Sequence, residues 1–359
     1  MRLPCEIPGV RLAVTNTSCY ARNKHLRGRS FSPCALPETM PALATRNAET
    51  IIDNQGVEHY LNVVSTPFVF YQREHMAVST AISVAFQGVP GAYSEEAVRS
   101  HFGTEATSVP CNTFDEIFEA VESGAVTYGM LPVENSLAGT VARSYELLMD
   151  YDLRIQAEVI VRVRHMLLAP AGTKLAEVKR VRSHPQALAQ CEKYLRRRGV
   201  EPVAWFDTAG SARDLAATPE PHIAVIASAF AGALYGLETL DSGVEDEPYN
   251  FTRMFVIGRG DPTVNARPKT SIMFTFLDRP GALYECLGEF AERGVNLTKI
   301  ESRPRKDRPW QYWFYLDFHG HFQDEAPAAA LLGLLRHAAM VKILGSYPAA
   351  VQPHEGNGK

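Results

Sequence analysis

Long apolar runs, closely spaced cysteines and a surplus of one charge are all missing from this chain of 359 residues, and each absence excludes something. No run approaches the roughly 20 apolar residues that a bilayer-spanning helix needs, so no membrane partner is expected. The six cysteines, at positions 5, 19, 34, 111, 191 and 286, contain no CxxC pair. Neither a zinc site nor a disulfide framework is indicated, and a reducing compartment, the cytoplasm, is the expected home. Lys and Arg number 36 against 40 Asp and Glu, which leaves no basic surplus for nucleic acid. Gly88 and Gly91 surround a tight turn, but their spacing is neither GxGxxG nor a P-loop, so nucleotide binding is not indicated. What remains, with 46% hydrophobic residues, is a globular protein of two or three domains with a real core.

The first 75 or so residues also lack a sustained helical or strand period, and residues 1–79 are expected to be an unstructured extension. Met1 to Leu36 carries five arginines, one lysine and a single acid, Glu6. That balance faintly resembles an organelle transit peptide without its serine density or amphipathic period. The other reading is that translation begins at Met76, directly before the first good strand.

From Ile82 onward short apolar runs alternate with helical periods, the pattern of an α/β sheet with crossover helices. Strands are expected at 82–86, 106–110 and 128–133, the last ending on Glu134, Asn135 and Ser136, where open α/β sheets place ligands. Thr113 and Glu116 form a capping box before Ile117, Phe118 and Val121. The apolar segment 155–168, interrupted by Arg162, Arg164 and His165, is long enough to cross between two lobes. Strands at 178–181, 200–206 and 223–226 then alternate with helices opening at Pro185, Thr208 and Ser228. An irregular acidic stretch runs from Leu240 to Asn250 before a closing strand at 254–257. One lobe is therefore discontinuous, 80–162 plus 242–262, the other is 163–241, and the cleft between them is the expected binding place.

A linker with two prolines, from Asp261 to Lys269, opens a second unit over 270–348. Segments 271–277, 283–292, 295–302, 312–318, 328–338 and 341–347 read as βαββαβ, with Pro327 just ahead of the second helix. Residues 349–359 are a tail.

The richest cluster of hydrogen-bonding side chains is the run Ser183, His184, Pro185, Gln186, Ala187, Leu188, Ala189, Gln190, Cys191. Ser183 or His184 caps the helix, Pro185 suits its first position, and Gln186 and Gln190 fall one turn apart on one face. Neutral donors at a helix N-terminus suit a carboxylate-bearing substrate. An ordinary capped surface helix fits the local pattern equally well.

Five blocks taken in order resemble a bacterial-type prephenate dehydratase with a C-terminal ACT domain: GVPGAYS from Gly88, VENS from Val133, SHPQALAQC from Ser183, DTA from Asp207 and NFTR from Asn250. The resemblance runs from Ile82 to about Ala350. It implies a two-lobed, periplasmic-binding-protein-like α/β catalytic domain followed by a ferredoxin-like βαββαβ ACT domain. The residue after Arg253 departs from the family's usual phenylalanine; Met254 fills a similar apolar space. Gly281, Ala282 and Leu283, with Glu301, Ser302, Arg303 and Pro304, look like that ACT domain's paired phenylalanine-binding motifs. Similar plant dehydratases use arogenate, so the family does not settle the substrate.

Decarboxylating dehydration of prephenate to phenylpyruvate requires holding two carboxylates, helping a ring hydroxyl leave and excluding water, and no cofactor or metal is on that list. The resemblance makes Thr252 the catalytic threonine; an aliphatic hydroxyl is a poor acid, so donating a hydrogen bond or relaying a proton is the expected role. Arg253 is the candidate for the side-chain carboxylate, with a structural ion pair as the alternative. Glu134 becomes a partial acid if the cleft desolvates it, and Asn135 and Ser136 supply neutral donors beside Asn250. Ser183, His184, Gln186, Gln190 and Thr208 belong to the opposite wall, Thr208 as a helix cap. Tyr93 and Ser94 are placed where they could face the cleft, with packing the commoner role for a tyrosine at the start of a helix. In the ACT unit, Gly281 is expected close to Asn296 and Leu297, gripping the ends of a phenylalanine effector at a homodimer or homotetramer interface. Arogenate dehydratase is the nearest alternative, and a non-catalytic amino-acid sensor is the alternative of another class.

Overall fold

The computed structural model describes residues 21–22, 48–52, 58–62, 82–264 and 267–351. In the N-terminal stretch, β1 (Ala21–Arg22), β2 (Ala48–Ile52) and β3 (Glu58–Asn62) pair antiparallel in the order β1-β3-β2. The expectation of no regular structure fails at these positions; the rest of 1–79, and residues 352–359 of the tail, lie outside the described residues. The chain divides into two compact units, 78–263 with 347–359, and 1–77 with 264–346. No helix among the described residues is long and apolar enough to cross a membrane.

The first of these units begins with β4 (Ser83–Gln87), α1 (Tyr93–Phe102), β5 (Thr107–Cys111), α2 (Phe114–Ser123), β6 (Tyr128–Asn135), β7 (Gly139–Thr140), α3 (Ala142–Asp150) and β8 (Arg154–Arg162). A second lobe follows: β9 (Met166–Ala169), β10 (Arg180–Ser183), α4 (Pro185–Ala189), α5 (Glu192–Arg198), β11 (Glu201–Ala204), α6 (Thr208–Ala217), β12 (Ile223–Ala227), α7 (Ala229–Tyr235) and β13 (Glu238–Ser242). The chain then returns through β14 (Phe251–Gly258) to the first sheet. Lobe one is ordered β5-β4-β6-β14-β8 and lobe two β11-β10-β12-β9-β13. The segment 155–168 divides where Arg162, Arg164 and His165 interrupt it, so β8 and β9 lie in different sheets, and two crossings join the lobes. β13 falls in the segment expected to be helix end and acidic loop. Its sequence, ETLDS, carries no apolar alternation, because it is an edge strand with a register shift between Thr239 and Asp241 and is organised by pairing with β9.

β14 lies antiparallel to both β6 and β8. Its alternation sends Thr252, Met254 and Val256 to one face and Arg253, Phe255 and Ile257 to the other. Met254 and Val256 join Val84, Phe86, Ala97, Val98, Met130, Val159 and Val161 in the core beneath α1. Thr113 caps α2 by accepting the Glu116 N–H, while Glu116 reaches back to the Asn112 N–H at 2.8 Å.

The second unit contains β15 (Pro268–Phe276), α8 (Ala282–Ala291), β16 (Leu297–Pro304), β17 (Tyr312–His319), α9 (Glu325–His337) and β18 (Ala338–Pro348), with sheet order β16-β17-β15-β18. This is the ferredoxin-like arrangement, and Ile272, Phe274, Cys286, Phe290, Leu316, Phe318, Ala330 and Leu334 form its core. α9 starts at Glu325 rather than 328, which places Pro327 inside its first turn. A missing N–H there breaks no helical bond.

At the second position of β6, Gly129 lets α2 and β14 approach closely: a Cβ there would meet Ile117 Cγ2 at 2.5 Å and Ile257 Cγ1 at 2.9 Å. Gly129→Ala is expected to cost about 1–3 kcal/mol, read as a lower urea midpoint at unchanged m.

Candidate functional site

Where β6 ends and β14 begins, Thr252 pairs with Asn135 and Arg253 with Glu134. Asn135 is the hub. Its Nδ2 donates to Thr252 Oγ1 (3.0 Å), Asn250 Oδ1 (2.8 Å) and the Phe251 carbonyl (3.2 Å). Its Oδ1 accepts the N–H groups of Leu137 (3.0 Å) and Ala138 (2.8 Å), which fixes the turn after β6. Asn250 is fully buried, and its Nδ2 has no hydrogen-bond partner. An orphaned donor of this kind costs roughly 1–3 kcal/mol, so its place beside Thr252 marks the spot as one built for something other than stability. Ser136 is differently employed: its Oγ donates to the Tyr249 carbonyl and accepts the Phe251 N–H, both at 2.9 Å, clamping the two strands together.

Glu134 and Arg253 occupy the opposite face. Arg253 Nη2 is 3.1 Å from Glu134 Oε2 and donates to Tyr145 Oη at 3.0 Å, while Nη1 is 3.2 Å from Glu158 Oε1. The Glu158 side chain is 0% exposed and that of Arg253 12%, so this is a buried ion pair, with Glu134 at its 37%-exposed rim. The pleat forces the separation: adjacent residues of a strand point to opposite sides, and Thr252 and Arg253 are adjacent. Arg253 is thus committed to two carboxylates, the structural alternative named above, and Glu134 is turned away from Thr252.

A cavity of about 150 Å³ lies between the lobes, lined by Gln87, Gly91, Ala92, Tyr93, Ser94, Asp207, Thr208, Ala209 and Ser228. The first turns of α1 and α6 open onto it, and first-turn N–H groups lack helical partners. Ala92, the N-cap of α1, has no side-chain cap; the Glu95 N–H turns back to the Ala92 carbonyl, and Tyr93 and Ser94 of that first turn line the cavity. Asp207, rather than Thr208, caps α6, accepting the Gly210 N–H at 2.6 Å; Thr208 is left to line the cavity. The lobes are latched here: Ser228 Oγ donates to the Gly91 carbonyl (3.1 Å) and Tyr235 Oη to that of Pro90 (2.6 Å). Gly91 has φ +92°, and a Cβ on it would meet Ala231 at 3.2 Å, so only glycine permits the contact.

The SHPQALAQC wall distributes its roles. His184 caps α4, its Nδ1 accepting the Gln186 N–H at 3.2 Å. Ser183 is buried and donates to the Ile226 carbonyl at 2.7 Å, tying β10 to β12. Gln186 is exposed. Gln190 turns inward, with Oε1 2.8 Å from His165 Nε2, and His165 Nδ1 is 3.0 Å from Tyr93 Oη. Burial lowers the His165 pKa below its ordinary value, and burial first, then the Glu96 and Glu245 carboxylates, raises that of Tyr93 well above its own. The sequence offers Tyr93 to the cleft or to packing, reads His165 as an interruption of a strand and Ser228 as the opening of a helix, and carries no signal for Glu158. Among the described residues no group of three or more His, Cys, Asp or Glu side chains is disposed to hold a metal.

In the ferredoxin-like unit Gly281, at φ +82°, is the N-cap of α8, and Ala282 is buried. The expected closeness of Gly281 to Asn296 and Leu297 is corrected by the topology: they flank opposite ends of α8, a ten-residue helix that spans ~15 Å. Strand alternation also divides the ESRP run. Glu301 and Arg303 pair on one face, with Lys299 also on Glu301 at 3.0 Å. Ser302 and Pro304 are exposed on the other face, level with Phe314 and Tyr312 and at the Gly281 end.

A family model described as prephenate dehydratase matches residues 84–262, and one described as ACT domain matches 270–336. The chain is 41% identical to arogenate dehydratase/prephenate dehydratase 2, chloroplastic, of Arabidopsis thaliana, over 77% of this chain and 75% of that one. It is similar to the structure of prephenate dehydratase in complex with L-Phe from Arthrobacter aurescens, with 33% identity and a TM-score of 0.69 over 76% of this chain and 94% of that one. A solved structure described as a novel type of quorum quenching acylase is similar too, with 38% identity and a TM-score of 0.70 over 76% of this chain and 99% of that one.

The ion pair makes its own demand. Glu158→Gln removes the buried one of the guanidinium's two carboxylates and should cost about 3 kcal/mol in urea unfolding; Glu134→Gln, at the rim, should cost less than about 1 kcal/mol.

Proposed function

The chain belongs to the prephenate dehydratase family, and from that premise we propose that it is a carbon–oxygen lyase converting prephenate to phenylpyruvate, water and carbon dioxide, with phenylalanine as inhibitor through the ACT domain. The observation that carries the reading is the hydrogen bond from Asn135 Nδ2 to Thr252 Oγ1. Because Thr252 oxygen already accepts there, its own hydrogen is left for another acceptor, in this reading the departing hydroxyl. In the reaction the bond between ring and carboxylate breaks, its electron pair enters the ring, and the carbon–oxygen bond to the hydroxyl breaks as aromaticity forms. The leaving oxygen gains charge as it goes, so a donor fixed at that position acts where charge develops. Thr252 donates or relays; its hydroxyl is too weak an acid to act alone.

The substrate's carboxylates have a second recourse in place of Arg253. The first turns of α1 and α6 offer backbone N–H groups and the positive ends of two helices at the cavity. The Ser228 and Tyr235 latches keep the lobes close, which limits bulk water and strengthens those dipoles. Arogenate differs from prephenate by an amino group at the side chain, and Asp207 at the cavity favours it as a second reading, since a carboxylate there can accept from an ammonium. The acylase relative invites a nucleophile and base, yet both ring nitrogens of His165 are engaged by Tyr93 and Gln190.

Regulation follows from the separation of Gly281 and Asn296. A two-fold axis beside the edge strand β16, where Ile300 is 46% exposed, sets Gly281 and Ser302 of one protomer against Asn296 and Leu297 of the partner subunit. Each effector site is then shared, and a homo-oligomer, at least a dimer, is the unit that responds. Cys111, Cys191 and Cys286 are free and buried, in keeping with a reducing compartment such as the cytoplasm.

Purified protein should turn over prephenate or arogenate, with phenylpyruvate and phenylalanine as the products followed; folded protein inert toward both would overturn the enzyme. Thr252→Ala should lower kcat at least about tenfold, on the order of 1.4 kcal/mol, and leave phenylalanine binding intact. For the shared effector site, Gly281→Leu and Asn296→Ala should each abolish inhibition at normal basal rate. Mixing the two variants should restore partial sensitivity, because mixed dimers regain one intact site; no recovery on mixing would place the effector within a single protomer.

A further inference from the structure

His165 lies in the crossing between β8 and β9 and is 2% exposed. Its main chain is held three times: its N–H donates to Glu245 Oε2 (2.9 Å), and its carbonyl accepts the N–H groups of Gly243 (3.0 Å) and Val244 (3.1 Å). Its ring joins two elements that approach from different lobes. Tyr93, the first residue of α1, reaches Nδ1 at 3.0 Å and the Arg164 carbonyl at 2.8 Å; Gln190, at the end of α4, places Oε1 2.8 Å from Nε2. The Tyr93 and His165 rings meet edge-on, with centroids 5.8 Å apart.

Counting hydrogens orders this chain. Burial keeps the imidazole neutral, so it carries one N–H. An amide oxygen only accepts, which puts that hydrogen on Nε2. Nδ1 is then an acceptor, and the single Tyr93 hydroxyl hydrogen is shared between it at 3.0 Å and the Arg164 carbonyl at 2.8 Å. With Oε1 occupied, the amide nitrogen of Gln190 is turned the other way. The reverse tautomer would present the carbonyl oxygen instead, which repels an anionic substrate.

We propose that His165 is a positioning residue, which as its neutral Nε2–H tautomer, seated by Tyr93, holds Gln190 with two amide N–H donors facing the substrate. The inference rests on the dehydratase reading for its reaction, while its geometry stands apart from it. The bond order runs one way, Tyr93 to His165 to Gln190 to the cleft, and links both lobes to one donor. Ser183, by contrast, is spent on the Ile226 carbonyl and serves the wall alone.

Two measurements decide it. Long-range nitrogen–proton NMR of the labelled, full-length protein should show His165 neutral with the hydrogen on Nε2; hydrogen on Nδ1 would overturn the proposal whether or not the protein turns over substrate. Kinetically, His165→Leu should lower kcat/KM about tenfold or more in the native background and by less than about twofold in a Gln190→Ala background, since both changes remove the same donor. His165→Gln, which keeps an N–H near that place, should recover most of the rate. Losses that multiply in the double variant, or a folded His165→Leu with full activity, would refute the role. If His165→Leu does not fold, Tyr93→Phe enters the same cycle: it preserves the ring, and a loss of about threefold that vanishes in the Gln190→Ala background is expected. A wild-type protein inert toward both substrates would count against the reaction alone, because the tautomer is read without it.

Discussion

The register of β14 between β6 and β8 is the constraint on which the rest depends. It sets Thr252 opposite Asn135 and, one residue on, Arg253 opposite Glu134. Because a strand's side chains alternate, a shift of one residue would exchange the two faces and put a guanidinium where the hydroxyl now stands. The bulge that follows lies on β6, where Val133 stands unpaired, and it sets Asn135 rather than Glu134 opposite Thr252, on the face that Met254 and Val256 share by alternation. On the far face Arg253 is locked by Glu158 and Glu134. A buried pair of this kind contributes little net stability against an apolar substitute, yet it strongly resists any register that leaves one partner alone.

Around that register the two lobes are brought together by polar contacts and by Val89 and Ala92, which pack against the apolar cluster of the second lobe. Ser228 and Tyr235 reach carbonyls of the Gly88–Gly91 turn, and Tyr93 reaches across to the crossing segment. Hydrogen bonds of this sort are each worth roughly 1 kcal/mol, enough to favour a closed cleft and weak enough to release it. The helix ends at the cavity gain from closure too, since their partial charges act more strongly as water is excluded. The same glycine turn thus serves both the latch and the anion-facing surface.

The ACT unit shows the same rule of alternation at work in regulation. ESRP is continuous in the chain but not in space: Glu301 and Arg303 brace one face of β16, and Ser302 and Pro304 look out from the other. Gly281 shares an end of the unit with Ser302, while Asn296 lies at the far end of α8. A motif pair that one copy cannot close is an argument for two, and coupling between subunits then requires no long pathway within one chain.

Much was legible in the residues alone. Alternating apolar runs determined the α/β lobes, the interrupted segment 155–168 its crossing, and the βαββαβ order the second unit, because burial periodicity is a local property of the chain. Thr252, Asn135 and Gln190 were marked as candidates by their blocks, as was the surface at Ser183. The edge strand β13 was not legible, since a polar edge is organised by its neighbour and not by its own pattern. Nor were the true partners of Arg253: Glu158 lies 95 residues away, and nothing local tells a guanidinium whether it will meet a substrate or a buried carboxylate. His165 is the same case, a lone histidine until Tyr93 and Gln190 arrive from two lobes. The sequence determined which elements form and which side chains are available; only the tertiary structure decided which face each one occupies and what it touches, because those depend on strand register and on contacts between residues far apart in the chain.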